Sequence, residues 1–128
     1  MSRKILVVDD EVDFLEVIKI RLESEGFEVV TASNGEEALK KIRGERPNAV
    51  LLDILMPGID GLEVLKRIRK SDENLPVYMI TAFSTEERFR TANKLGASGF
   101  IVKTDDLDKQ LKSVTSVIDM AERYRGKK

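Results

Sequence analysis

Residues 49–53 read Ala49-Val50-Leu51-Leu52-Asp53, four apolar residues closed by an acid. A short unbroken apolar run fits a strand covered on both faces, because a strand with one wet face would alternate. A carboxylate at the end of such a run needs a partner, since a charge withdrawn from water is rarely left uncompensated. Four other runs have the same character: Ile5–Val8, Phe27–Val30, Val77–Ile80 and Phe100–Val102. The intervening segments carry apolar residues at helical spacing. Phe14, Ile18 and Leu22 share one face, as do Leu62, Leu65 and Ile68, and then Leu107, Leu111, Val114 and Ile118. Start signals accompany them, a cap residue with an acid three places on: Asn34 with Glu37, Asp60 with Glu63, Ser84 with Glu87. Gly26, Gly44 and Gly96 stand where a helix would stop in a left-handed residue.

Strand and helix thus alternate five times. Right-handed crossovers then place helices on both faces of the sheet. The predicted fold is α/β: a five-stranded parallel sheet of order 2-1-3-4-5, doubly wound by five helices and flavodoxin-like. One domain over residues 1–128 is expected. The last helix is expected over about 105–124, and it could extend towards an output domain.

Composition narrows the chemistry. The chain is 41% hydrophobic and 35% charged with a net charge of −1, which suits a soluble globular protein and gives no bulk basic character for gripping nucleic acid. It has no cysteine and no histidine. Thiolate zinc sites, cysteine nucleophiles and imidazole bases are therefore excluded. A metal site must be built from oxygen, which favours Mg²⁺, with Mn²⁺ or Ca²⁺ also suited. The apolar stretch from Ile5 to Val8 is too short for a leader core or a membrane span, so a cytoplasmic protein without membrane attachment is expected.

In an open α/β sheet, ligands sit outside the carboxyl ends of the strands. Those ends carry Asp9 and Asp10, Asp53, Thr81 and Lys103. In the order 2-1-3-4-5 they would converge. Three close carboxylates repel unless a cation joins them. A lysine and a hydroxyl beside them would suit a phosphoryl group, which Asp53 could take as a nucleophile. Each residue alone has a plainer reading: Asp9-Asp10 as a helix cap, Thr81 as a sheet residue, Lys103 as a surface lysine, Phe100 as core. Joint placement at adjacent strand ends is what favours a site.

Four stretches now carry a resemblance: Ile5-Leu-Val-Val-Asp-Asp-Glu11, Leu52-Asp-Ile-Leu-Met-Pro-Gly-Ile-Asp-Gly61, Ile80-Thr-Ala82 and Phe100-Ile-Val-Lys103. In this order the chain resembles the receiver domains of two-component response regulators, the chemotaxis-protein-like (CheY-like) family, over nearly its whole length. The resemblance implies Asp53 as phosphoacceptor. It implies Asp10 as a direct Mg²⁺ ligand, Asp9 acting through water, and the backbone carbonyl of Leu55 as a further ligand beside Asp53. Thr81 matches the switch hydroxyl, Phe100 the aromatic that turns with it, and Lys103 the partner of the phosphoryl oxygens. Pro57-Gly58 and Gly61 match the turn into the third helix. The implied partners are a sensor histidine kinase or histidine phosphotransfer protein, and an output domain or downstream protein. Phosphorylation would change the surface of helix 4, strand 5 and helix 5, and the last two helices could form a phosphorylation-linked homodimer. Such a domain would assist only its own phosphorylation and dephosphorylation rather than act as an enzyme.

Two departures stand out. Thr104 follows Lys103 where the family usually has proline with a cis bond. A non-proline cis bond costs about 2.5–4 kcal/mol, so a trans bond is expected, with Thr104 available to cap the last helix. Leu55 and Phe83 are apolar at places that influence hydrolysis of the acyl phosphate in the family. They offer no hydrogen bond to an attacking water, which predicts slow self-dephosphorylation. The alternative of a Mg²⁺-dependent aspartyl-phosphate phosphatase or phosphotransferase would want a second acid two residues after Asp53, and that place is Leu55. A flavodoxin-like binding module would want a phosphate-cradling loop after strand 1, where Asp-Asp-Glu stands instead.

Overall fold

The computed structural model describes residues 3–82 and 85–126, and the side chains of all of these except 107 and 121–126. The chain runs β1 (Arg3–Val8), α1 (Val12–Ser24), β2 (Phe27–Ala32), α2 (Gly35–Glu45), β3 (Ala49–Asp53), α3 (Gly61–Ser71), β4 (Val77–Thr81), α4 (Glu86–Lys94), β5 (Gly99–Val102) and α5 (Leu107–Gly126). The five strands are all parallel, in the order β2-β1-β3-β4-β5 predicted from the alternation.

The two-residue period of a strand divides the core into two layers. Ile5, Val7, Leu51 and Ile80 face α1 and α5 and pack with Ile18, Leu22, Val114 and Ile118. Leu6, Val8, Leu52 and Met79 face α2, α3 and α4 and pack with Ala38, Leu65, Ile68 and Ala92. Burying each large aliphatic side chain contributes about 1.5–3 kcal/mol, so the central strands are gripped from both sides and their ends are fixed in space.

The predicted helix starts at Asn34 and Asp60 are present: each side chain accepts from the N–H three residues on, at 2.8 Å from Glu37 and 2.9 Å from Glu63. Gly26 and Gly96 take the left-handed conformation. Other boundaries differ. Gly44 does not stop α2, which continues to Glu45 before Arg46 turns left-handed at φ 50°. Lys4 Nζ on β1 donates to the Glu45 carbonyl at 3.1 Å, so a tertiary contact supports the helix past Gly44. The cap of α4 is Thr85, whose Oγ1 accepts from Arg88 N, while Ser84 and Phe83 lie outside the described residues. Neither Asp9 nor Asp10 caps α1: the cap position is Glu11, with no side-chain cap bond. Helix α5 starts at Leu107 rather than 105, and its start is held by Asp106, whose Oδ1 accepts from Lys109 N at 3.2 Å. Thr104 is therefore not the cap. The Lys103–Thr104 bond is trans, as no described peptide bond is cis.

Candidate functional site

Register alone assembles the site. Val8 lies level with Leu52, so Asp9 follows β1 where Asp53 ends β3. Asp53 lies level with Ile80, and Thr81 with Val102, so Thr81 and then Lys103 each stand one step further along neighbouring strands. Lys103 N donates to the Thr81 carbonyl at 2.8 Å, which continues that ladder into the loop after β5. The residues expected at the strand ends are thus brought together.

One carboxylate oxygen from each of Asp9, Asp10 and Asp53 lies within 4.8 Å of the others. Asp9 and Asp53 are buried, whereas Asp10 is exposed. Asp9 Oδ1 accepts from Glu11 N at 2.9 Å. Its Oδ2 lies 2.6 Å from Lys103 Nζ in a close ion pair. The same ammonium is 2.7 Å from Glu11 Oε1, 3.7 Å from Asp53 Oδ2 and 4.5 Å from the centre of the Phe14 ring. Glu11 is the member that sequence reasoning passed over. Its only signal was being the third acid in a row, and its partner is 92 positions away.

Burial pushes the Asp53 carboxyl up to about 7, aided by the charges of Asp9 and Asp10 and opposed by Lys103 and the Ile54 N–H. Burial likewise raises Asp9, against its pairing with Lys103. For Lys103, burial alone would lower the ammonium, but Asp9 and Glu11 outweigh it and the net direction is up. Negative charge is in excess here, and every donor is oxygen. Such a set fits a hard divalent cation such as Mg²⁺.

The surroundings shape the loop after β3. Gly61 N donates to Ile54 O at 2.8 Å, and a Cβ on Gly61 would run into the Asp53 carbonyl, so only glycine allows α3 to start this close. Gly58 sits at φ 81° in the preceding turn. Leu55, two residues after Asp53, is 38% exposed. Thr81 is fully buried, and Phe100 is half-buried with its ring edge-on to Phe89, centroids 5.4 Å apart. Among the described residues, no helix is long and apolar enough to cross a membrane.

Residues 5–115 match the family model described as "Response regulator receiver domain". The chain is 42% identical over 103 residues to the alkaline phosphatase synthesis transcriptional regulatory protein PhoP of Bacillus subtilis, covering 80% of this chain and 43% of that protein. It is 38% identical over 108 residues to the sporulation initiation phosphotransferase F of the same organism, covering 84% of this chain and 87% of that protein. Against the first of these and a transcriptional regulator of Porphyridium aerugineum, the chain spans about half the relative's length, 43% and 51%. Among solved structures it is similar to a CheY-like receiver domain protein of Methanospirillum hungatei, at TM-score 0.86 and 31% identity over 97% of this chain and 99% of that one. It is also similar to the response regulator TrrA of Thermotoga maritima, solved in complex with Mg²⁺–BeF, at TM-score 0.78 and 40% identity over 90% of this chain and 98% of that one.

Proposed function

Because the chain belongs to the response regulator receiver domain family, a family of phosphorylation-based two-component signalling, we propose that Asp53 is its phosphoacceptor. A carboxylate oxygen of Asp53 attacks the phosphorus of a phosphohistidine on a sensor histidine kinase or histidine phosphotransfer protein. The phosphorus–nitrogen bond breaks, and the imidazole keeps its electron pair and takes a proton. The observation that carries this reading is the buried Asp53 carboxylate within 4.8 Å of Asp9 and Asp10, with Lys103 Nζ at 3.7 Å.

Asp10, Asp53 and the Leu55 carbonyl would hold Mg²⁺ (Mn²⁺ also suits the donors), with Asp9 acting through water. The cation would supply positive charge against the transferring oxygens. Lys103 supplies the fixed charge on the other side and must turn from Glu11 towards the new phosphoryl oxygens. Thr81 donates its hydroxyl to one of them, and Phe100 moves with it. The α4–β5–α5 surface, where Phe89, Val102 and Met120 are exposed, then changes its affinity for an output domain, a downstream protein or a second copy of the chain. This is a shift between two states, its size set by how differently each is stabilised. We read residues 1–128 as one such receiver, working in the cytoplasm without contacting nucleic acid itself.

The test is incubation with acetyl phosphate and Mg²⁺ followed by intact mass. A single phosphate-sized gain, absent in Asp53→Ala and absent with chelator, is expected. No gain, or a gain kept in Asp53→Ala, rejects the reading.

A further inference from the structure

Gln110 is a buried amide in the first turn of α5, only 2% exposed. Its Oε1 accepts from the Thr104 backbone N–H at 2.7 Å, across the loop that joins β5 to α5. Its Nε2 makes no hydrogen bond to the described residues. A buried amide with one end unmet is an unfavourable neighbour for Leu111 and the apolar face of α5 unless the bond it does make matters. That bond falls on the residue after Lys103. Lys103 N is itself tied to Thr81 O at 2.8 Å. The lysine backbone is therefore bracketed, by the carbonyl of Thr81 on one side and by α5 on the other. The start of α5 is pinned in turn, with Gln110 N on Asp106 O at 3.0 Å and Thr104 Oγ1 on Asp106 O at 3.1 Å.

We propose that Gln110 is a positioning residue for Lys103, latching the β5–α5 loop through the Thr104 amide so that the ammonium stays at the acid cluster. Proline at 104 would stiffen this loop without an N–H, and an apolar residue at 110 would then be the matching neighbour. The backbone N–H at 104 and the Gln110 amide form one unit, and the amide loses its bond when that N–H is removed. The inference rests on the phosphoacceptor reading only for its kinetic readout.

The experiment is a double-mutant cycle with Gln110→Leu and Thr104→Pro in the full chain. It measures the rate of phosphorylation by acetyl phosphate at saturating Mg²⁺, Mg²⁺ affinity by calorimetry, and the urea midpoint. Gln110→Leu is expected to slow phosphorylation about 5–10-fold, short of the roughly 100-fold scale of losing a preorganised charge because the ammonium is loosened and not removed, with Mg²⁺ affinity within about twofold of the parent. In the Thr104→Pro background the same change is expected to cause no further loss and to raise the urea midpoint. Should Gln110→Leu alone not fold, folding of the double variant is the expected rescue. An unchanged rate in Gln110→Leu, equal losses in both backgrounds, or failure of the double variant to recover overturns the latch. If the parent chain itself takes no phosphoryl group, the phosphoacceptor reading fails instead, and the urea midpoints alone decide the latch: additive shifts overturn it.

Discussion

Strands β3 and β5 both deliver a charged group to the same end of the sheet, but they do so from opposite conditions. Every residue of β3 from Ala49 to Asp53 is buried. In β5 only Ile101 is buried, and Val102 is 46% exposed at the sheet's edge. Asp53 is therefore held by a core that cannot shift without losing packing on both faces. Lys103 follows an edge strand and is held by polar contacts: Asp9, Glu11, the Phe14 ring and the bracketed backbone. A site built this way has an acid held by the core and a lysine held by polar contacts at the sheet's edge. On the proposed reading that asymmetry suits a switch, because the lysine lies next to the exposed Val102 face that would report the change.

Removing the lysine's charge should break the comparison hardest. Lys103→Ala is expected to lower the rate of Asp53 phosphorylation by about 100-fold, the scale of losing one preorganised charge-stabilising group, while Mg²⁺ still binds. Phosphorylation kinetics with acetyl phosphate check it, and a loss under threefold would show the edge side to be dispensable.

The fixed side is tested by pH. The folded-state Asp53 carboxyl is raised to about 7 from an ordinary 3.8. Its contribution to stability is thus fully present below about 4 and is lost as pH rises through 7. In chelator, the chain should lose stability between pH 5 and 8, and Asp9, shifted in the same direction, should add to the slope. Asp53→Asn should be more stable than the parent at pH 8 by on the order of 1–3 kcal/mol, the scale of a poorly compensated buried group. Mg²⁺ should restore the parent at that pH. Urea unfolding at pH 5 and 8 reads this directly, and a parent stability that rises with pH over that range would contradict it.

The smallest effect is expected at Leu55, two residues after Asp53 and partly exposed. Leu55→Asn should shorten the lifetime of the phosphorylated chain by about 3–10-fold, by giving an attacking water a hydrogen-bond partner. Decay of the phosphorylated mass after removal of donor measures it. A lifetime of seconds in the parent would remove the premise.

Strand order, the five elements and the acid–hydroxyl–lysine set were legible because they rest on local pattern. Doubly covered strands leave unbroken apolar runs, and parallel crossovers order the strand ends. Helix ends were less so. At α2 the expected stop at Gly44 was overridden by Lys4 reaching the Glu45 carbonyl from β1. At α5 the cap fell to Asp106, whose Oδ1 accepts from Lys109 N, while the Thr104 hydroxyl donates to the Asp106 carbonyl. The first is a contact between distant segments that no window of neighbouring residues contains, whereas the second is local and turned on which of two polar residues, two positions apart, takes the cap.

Residue order along the chain was enough to single out Asp53, because a carboxylate closing an apolar run needs a partner. It was not enough for the state of Lys103. Glu11 and Lys103 are 92 positions apart, and Gln110 reads locally as one more polar helix residue. Only the packing of α1 and α5 on one face of the sheet brings a third acid against the lysine and buries an amide beside its loop. Local pattern settles which groups reach the strand ends. Burial and long-range contact settle their charge and their partners, since those depend on what surrounds each group in space.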